Sequence, residues 1–281
     1  MGRGTIAPMA TPAVQCSTGP FWAYELDQAL DLLAEAGFTD IELMVTRDRR
    51  TQEPSLPLRL ATEKGLKIAS VHGPFLAITK TVWGPDPLGK IRRGVAMCQE
   101  VGATTYVVHP PFLWERAFAR WVVEEAADFS VSHGVDVAVE TMYPVWVAGR
   151  KMRAYRWLDP AALAHAAPIV VMDTSHLSVG RHDILDSFEI LAPKLAHIHL
   201  SNNAGDGRDG HLELDQGILP IDRLLGEVVR AGYGGAISLE LSVRRYIERP
   251  EELVKMLKRN KELVEDRLAR PAQLKKGMPR P

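Results

Sequence analysis

Almost nothing in this sequence marks a secreted, membrane-bound or nucleic-acid-binding protein. Its 281 residues include two cysteines, Cys16 and Cys98, far apart and in no metal-ligand spacing. That argues against a disulfide framework and a thiolate zinc site, and both thiols read as free in a reducing compartment. No apolar run approaches the roughly 18 residues of a membrane span. Residues 1–15 carry no continuous apolar stretch of the secretory kind, and Ile6 breaks the myristoylation pattern. Neither sign of charge dominates: 34 basic against 35 acidic residues leave a net charge of −1, with no global footprint for nucleic acid. No Gly-x-Gly-x-x-Gly opens a helix after the first strand-like segment, which argues against a dinucleotide-binding half. The expectation is a cytoplasmic protein without membrane or nucleic-acid partners, its self-association left open.

What the sequence does have is alternation. Short β-branched runs are expected as strands at Pro12–Cys16, Asp40–Val45, Lys67–His72, Thr104–His109, Asp136–Thr141, Ile169–Asp173, Ala196–Ser201 and Ala236–Ser242. Helical patterns separate them at Tyr24–Ala36, Leu56–Lys64, Pro87–Val101, Trp114–Ser132, Pro160–Ala166, Ile184–Ala192 and Ile221–Ala231, and Pro250–Leu268 follows the last strand. Eight strand–helix units predict parallel pairing and an α/β fold. A closed (β/α)8 TIM barrel and an open doubly wound sheet share this local grammar. The barrel is the expected fold, a single domain over residues 1–268. Residues 269–281 form a tail with Arg270, Lys275, Lys276 and Arg280 among three prolines.

Metal-capable side chains recur at the C-terminal ends of successive strands. They are His72, His109, Glu140, Asp173 with His176 just beyond, His197 and His199 with Asp209 and His211 in the following loop, and Glu240. Six of the nine histidines fall in this set, and a barrel would bring its strand ends together at one face. Imidazoles and carboxylates flanked by Val, Ile and Leu are costly to bury unless they are paired or bind a cation. The mixture of nitrogen and oxygen donors suits Zn²⁺, Mn²⁺, Fe²⁺ or Co²⁺. Without His197, nine candidate ligands remain, which exceed the demand of one ion, so one to three are expected, Zn or Mn foremost. His197 shares its side of the strand with His199 one layer deeper and is expected to be a hydrogen-bonded structural residue. His133, His165 and His182 have no strand-end position. Glu42 stands open between supporting a ligand and touching substrate. Arg244 is a candidate clamp for a phosphate or carboxylate, with Arg245 beside it. Trp83, Trp114, Tyr143 and Trp146 could wall a compact ligand, Trp114 and Trp146 as substrate contacts.

From Glu42 to Glu240 these residues resemble the xylose isomerase-like barrels, which include endonuclease IV and the sugar and sugar phosphate isomerases and epimerases. The resemblance is carried by Asp173-Thr174-Ser175-His176, by His199-Leu200-Ser201-Asn202 continuing to Asp209-Gly210-His211, and by the run Leu214–Asp222. It implies nine zinc ligands of the endonuclease IV kind: His72, His109, Glu140, Asp173, His176, His199, Asp209, His211 and Glu240. It also implies, as in the epimerase branch, one ion at Glu140, Asp173, His199 and Glu240. The two glutamates would then exchange the substrate proton through a metal-stabilised enediolate, with His176 fixing a hydroxyl. Two positions depart from the pattern. Phe75 stands where endonuclease IV has Tyr, and Glu213 and Asp215 replace a Pro and a Gly. A sugar or sugar phosphate isomerase or epimerase is the leading expectation. A phosphodiester hydrolase is second, and a metal-occupied barrel that binds a metabolite without turnover is third.

Overall fold

The computed structural model describes residues 12–76, 79, 81–147 and 150–270, the side chains of residues 146, 147, 150 and 151 excepted. Eight parallel strands close into a barrel. They are β1 (Ala13–Ser17), β2 (Asp40–Met44), β3 (Lys67–His72), β4 (Thr105–Val108), β5 (Asp136–Glu140), β8 (Val170–Asp173), β9 (Leu195–Leu200) and β10 (Ala236–Leu239). Closure is visible at β1, which pairs with β2 through Gln15 and Asp40 and with β10 through Ala13 and Ala236. An open sheet would leave β1 or β10 with a free edge, so the register decides between the two architectures the sequence allowed. Strands β6 (Val145–Val147) and β7 (Arg150–Met152) form a separate antiparallel hairpin after β5.

Alternation along the strands divides the interior. One face of each strand packs on helices, in a large cluster that takes Ile41, Leu43, Ile68, Val71, Tyr106, Val108, Met172 and Ile198. The other face lines the barrel. Its apolar cluster is small, Val107, Ala138 and Val171 from β4, β5 and β8, with Ile169 and Ala196 against it. Much of the remaining lining is buried polar side chains: Gln15, Glu42, Ser70, His197, His199 and Ser238. Register shifts occur twice, where β2 meets β3 (Ile41 opposite Ile68, Glu42 opposite Ser70) and where β8 meets β9 (Val170 opposite Leu195, Val171 opposite His197). Ala69 and Ala196 are the extra residues.

Helices α1 (Leu26–Glu35), α2 (Ser55–Glu63), α3 (Pro87–Val101), α6 (Pro160–Ala166), α8 (Ile184–Leu191), α9 (Ile221–Ala231) and α10 (Pro250–Ala269) lie where the sequence predicts them, within two residues. Local signals explain the sharp ends of α3: Asp86 caps it by accepting from Leu88 N and Gly89 N, Pro87 opens it, and Gly102 ends it at φ 78°. The helix expected over 114–132 is instead two, α4 (Arg116–Glu124) and α5 (Ala126–His133), broken at Glu125. Trp121 and Phe129 meet at 5.4 Å between ring centroids. Eight residues of straight helix would span about 12 Å, so the break is what brings the two rings together. A further short helix, α7 (Thr174–Gly180), starts directly after β8. No helix of the described residues is long and apolar enough to cross a membrane. The expected tail beyond residue 270 lies outside the described residues.

Gly94 in α3 lies against the fully buried Tyr106 of β4, whose hydroxyl donates to Lys90 O at 3.2 Å. A Cβ at Gly94 would overlap that ring. Gly94→Ala should therefore destabilise the barrel by about 1–3 kcal/mol despite its better helix propensity; urea unfolding with an unchanged midpoint would contradict this packing.

Candidate active site

The strand ends place the chemistry. His72, Glu140 and Asp173 are the last residues of β3, β5 and β8. His199 is the penultimate residue of β9, while His109 and Glu240 lie just beyond β4 and β10. Asp173 also caps α7: its Oδ1 accepts from His176 N at 2.7 Å, leaving Oδ2 buried without a hydrogen bond. The cap brings His176 inward one turn later. His211 arrives on a loop whose backbone there is left-handed, φ 43°. That loop is pinned by the paired Asn202 and Leu212 and by Asn203, whose Nδ2 donates to Ser175 Oγ and Arg208 O.

All nine expected side chains meet at this face. Glu140 is the hub: its Oε2 lies 3.3 Å from both His72 Nε2 and His109 Nε2, and its Oε1 2.7 Å from His199 Nδ1 and 3.5 Å from His176 Nδ1. His199 Nδ1 is also 3.3 Å from Glu240 Oε2 and 3.8 Å from Asp173 Oδ2. Asp209 bridges the outer pair, at 3.3 Å from His176 Nε2 and 3.1 Å from His211 Nε2. Ser175 Oγ and the Tyr143 hydroxyl donate to its two oxygens at 2.7 and 3.1 Å. Three groups could each hold a metal ion: His72, His109 and Glu140; Glu140, Asp173, His199 and Glu240; Asp173, His176 and His211. A fourth, deeper group joins Glu42, His197 and His199.

The ring orientations favour cations at this site. His72, His176 and His211 each have Nδ1 against a backbone carbonyl, of Gly73 (3.0 Å), Thr141 (2.8 Å) and Glu240 (3.0 Å). Nδ1 must donate there, so in the neutral ring Nε2 carries a lone pair. That lone pair faces a carboxylate oxygen in all three cases. Acceptor against acceptor is unfavourable until a proton or a metal ion lies between them. No Lys or Arg pairs with Glu42, Glu140, Asp173, Asp209 or Glu240 among the described residues.

Without metal, protons fill this role. Burial would raise the Glu140 carboxyl, but His199 and His176 hold it well below the usual range. Burial, with Glu140 and Glu240 adding to it, lifts Asp173 to about 6 against His176 and His211. Burial depresses His211, yet Asp209 carries it up to about 10. His109 goes down, chiefly through burial.

A cavity of about 600 Å³ lies over the clusters, bordered by His72, His109, Glu140, His176, Asp209, His211 and Glu240, with Trp22, Met44, Tyr143 and Arg208, Arg244 and Arg245 around it. Trp22 and Met44 give no signal as site residues in the sequence; Ser175 was visible only as part of its motif. Trp114 stacks on Phe112 (4.7 Å, 5°) and lines an adjoining cavity of about 430 Å³ that shares Leu76 and His109 with the first. Trp83 is turned away, donating to Gln52 O. The side chain of Trp146 lies outside the described residues. His197 lies one layer deeper as expected, fully buried with its Nε2 3.1 Å from Glu42 Oε2.

The sequence model of the xylose isomerase-like TIM barrel family matches residues 30–263. The chain belongs to this family. Among relatives of this xylose isomerase-like barrel, an uncharacterised protein of Mycobacterium tuberculosis is 30% identical over 251 residues, covering 82% of this chain and 90% of the relative. Fructoselysine 3-epimerase of Escherichia coli O157:H7 is 25% identical over 175 residues, 59% of this chain and 62% of the enzyme. Among solved structures, a D-tagatose 3-epimerase-like protein has a TM-score of 0.65 at 19% identity, covering 92% of this chain and 100% of that one. AP endonuclease, family 2, from Brucella melitensis has 0.61 at 18%, covering 86% and 99%. At these identities the two structures establish the shared fold.

The charge pairs set a pH dependence. In chelator-treated protein, the folded state keeps the His211 proton up to about 10, whereas an unperturbed imidazole loses it near 6.5. This contribution is complete below 6.5 and is lost as pH rises from there through about 10. Thermal melts across that range should show falling Tm, with a shallower fall in His211→Asn; equal slopes would assign the loss to other groups.

Proposed function

We propose that this chain is a divalent-metal-dependent isomerase or epimerase of a small sugar or sugar phosphate, moving a proton at a carbon beside a carbonyl. The observation that carries this reading is the group of Glu140, Asp173, His199 and Glu240, two of whose carboxylates border the cavity from different strands. A transition ion such as Zn²⁺ or Mn²⁺ held by these four residues would supply Lewis acidity to two neighbouring substrate oxygens and to the negative charge that develops on them. His72 and His109 with Glu140, and His176, Asp209 and His211 with Asp173, offer places for up to two more ions.

The chain's own groups do the rest. Of Glu140 and Glu240, one removes the carbon-bound proton and the other returns it. His176, anchored by its Nδ1–H to Thr141 O, directs Nε2 towards a substrate hydroxyl or an outer ion. Arg244, with Arg208 and Arg245 beside the same cavity, holds a phosphate or carboxylate at the open end of the substrate. Trp22, Met44 and Leu76 give the cavity an apolar side. The epimerase relative supports the reading.

Phosphodiester hydrolysis is the second reading, favoured by the three adjacent donor groups and by the likeness to the AP endonuclease fold. Two observations weigh against it. Phe75 packs beside Phe118 and Tyr106 (ring centroids 6.0 and 6.4 Å) rather than projecting from the mouth. Three arginines bordering the cavity make no strip to follow a phosphate backbone.

Incubated in D₂O with ketoses, aldoses and their phosphates, the metal-loaded protein should place deuterium on a carbon next to the carbonyl of its substrate. Glu140→Gln or Glu240→Gln should slow that exchange by at least about a hundredfold, with metal content measured alongside. Nicking of an abasic duplex with no exchange on any sugar would reverse the ranking. Elemental analysis should find more than one equivalent of transition metal, and Asp209→Ala combined with His211→Ala should remove one. An unchanged count would take those two residues out of the ligand set.

A further inference from the structure

Beneath the nine side chains, Glu42 meets His199 from the opposite side of the ring. His199 is fully buried, with Nδ1 turned to Glu140 and Glu240 and Nε2 lying 3.1 Å from Glu42 Oε2. His72, His176 and His211 have their outward nitrogen on a backbone carbonyl; His199 has a carboxylate there. We propose that Glu42 is a positioning residue, accepting the Nε2–H of His199 and so fixing Nδ1 as the nitrogen that faces the metal. The proposal rests on the metal-dependent reading above.

The barrel is adjusted around this contact. The extra residue Ala69 sets Ser70 opposite Glu42, and Ser70 Oγ lies 3.2 Å from Glu42 Oε2 as donor. The extra residue Ala196 sets the His197 and His199 side of β9 towards the interior. Bulges that re-aim side chains beside a site are a common device. His72 stacks on His199 at 5.6 Å and 17°, while His197 meets it edge-on at 5.0 Å and 85°. The ring therefore has neighbours on a face, an edge and both nitrogens. A separate ion held by Glu42, His197 and His199 would need His199 to give up both nitrogens to metal at once, which an imidazole with one N–H does not do.

The test uses histidine-labelled, Zn²⁺-loaded full-length protein and long-range ¹H–¹⁵N spectra, with His199 assigned by its loss in His199→Asn. The wild-type ring should be the Nε2–H tautomer with Nδ1 shifted by metal. By competition with a chelator, Glu42→Ala should bind Zn²⁺ about 10- to 100-fold more weakly at unchanged stoichiometry, as expected when the outer partner of a ligand histidine is lost. Glu42→Gln, which keeps an acceptor oxygen, should recover most of that affinity. If the alanine variant does not fold, the wild-type tautomer and the glutamine variant decide. An Nδ1–H tautomer overturns the proposal. So does unchanged Zn²⁺ affinity in Glu42→Ala, or loss of one equivalent with the remaining affinities intact. A wild-type protein that binds neither Zn²⁺ nor another divalent transition ion would defeat the metal reading, and this inference with it; the other failures leave that reading standing.

Discussion

The structure turns on lone pairs that face each other. Three imidazoles are locked by backbone carbonyls so that their free nitrogens point at carboxylate oxygens, and among the described residues no lysine or arginine pairs with those carboxylates. Such an arrangement is costly unless a cation occupies it. The apolar cluster inside the barrel is three residues with two more against it, so much of the interior is polar and relies on those contacts being satisfied.

Regular secondary structure and small irregularities share the work of aiming the donors. Strand alternation turns His72, Glu140, Asp173 and His199 inward and sends their neighbours Val71, Val139, Met172 and Ile198 to the helix-facing core. The irregular points then add what alternation cannot: two extra residues in β3 and β9, a cap that starts α7, and a left-handed residue at His211. Each irregularity sits next to a side chain of the site.

Much of this was legible in the sequence, for definite reasons. Strand positions show because buried parallel strands are short β-branched runs, and the polar residues stand out at their ends. The closed form was not legible from periodicity, since pairing of β1 with β10 leaves no local trace. The break at Glu125 was hidden because both halves have helical composition and neither Gly nor Pro marks the point between them. The helix α7 was not expected, because it starts at Thr174 directly after β8 with no turn residues between strand and helix to mark it. Glu42 could be placed within its strand, but its partner across the barrel, His199, is 157 residues away in the chain.

Asp173 gives the site a particular genetic fragility. One carboxylate both starts α7 and lends its other oxygen to two of the donor groups, so the placement of His176 is inherited from it. A change that removes this carboxylate would unseat a second side chain, His176, three residues further along the chain. The two halves of the cluster that share Asp173 therefore cannot drift independently, and a descendant wanting only one of them would have to find another way to begin that helix.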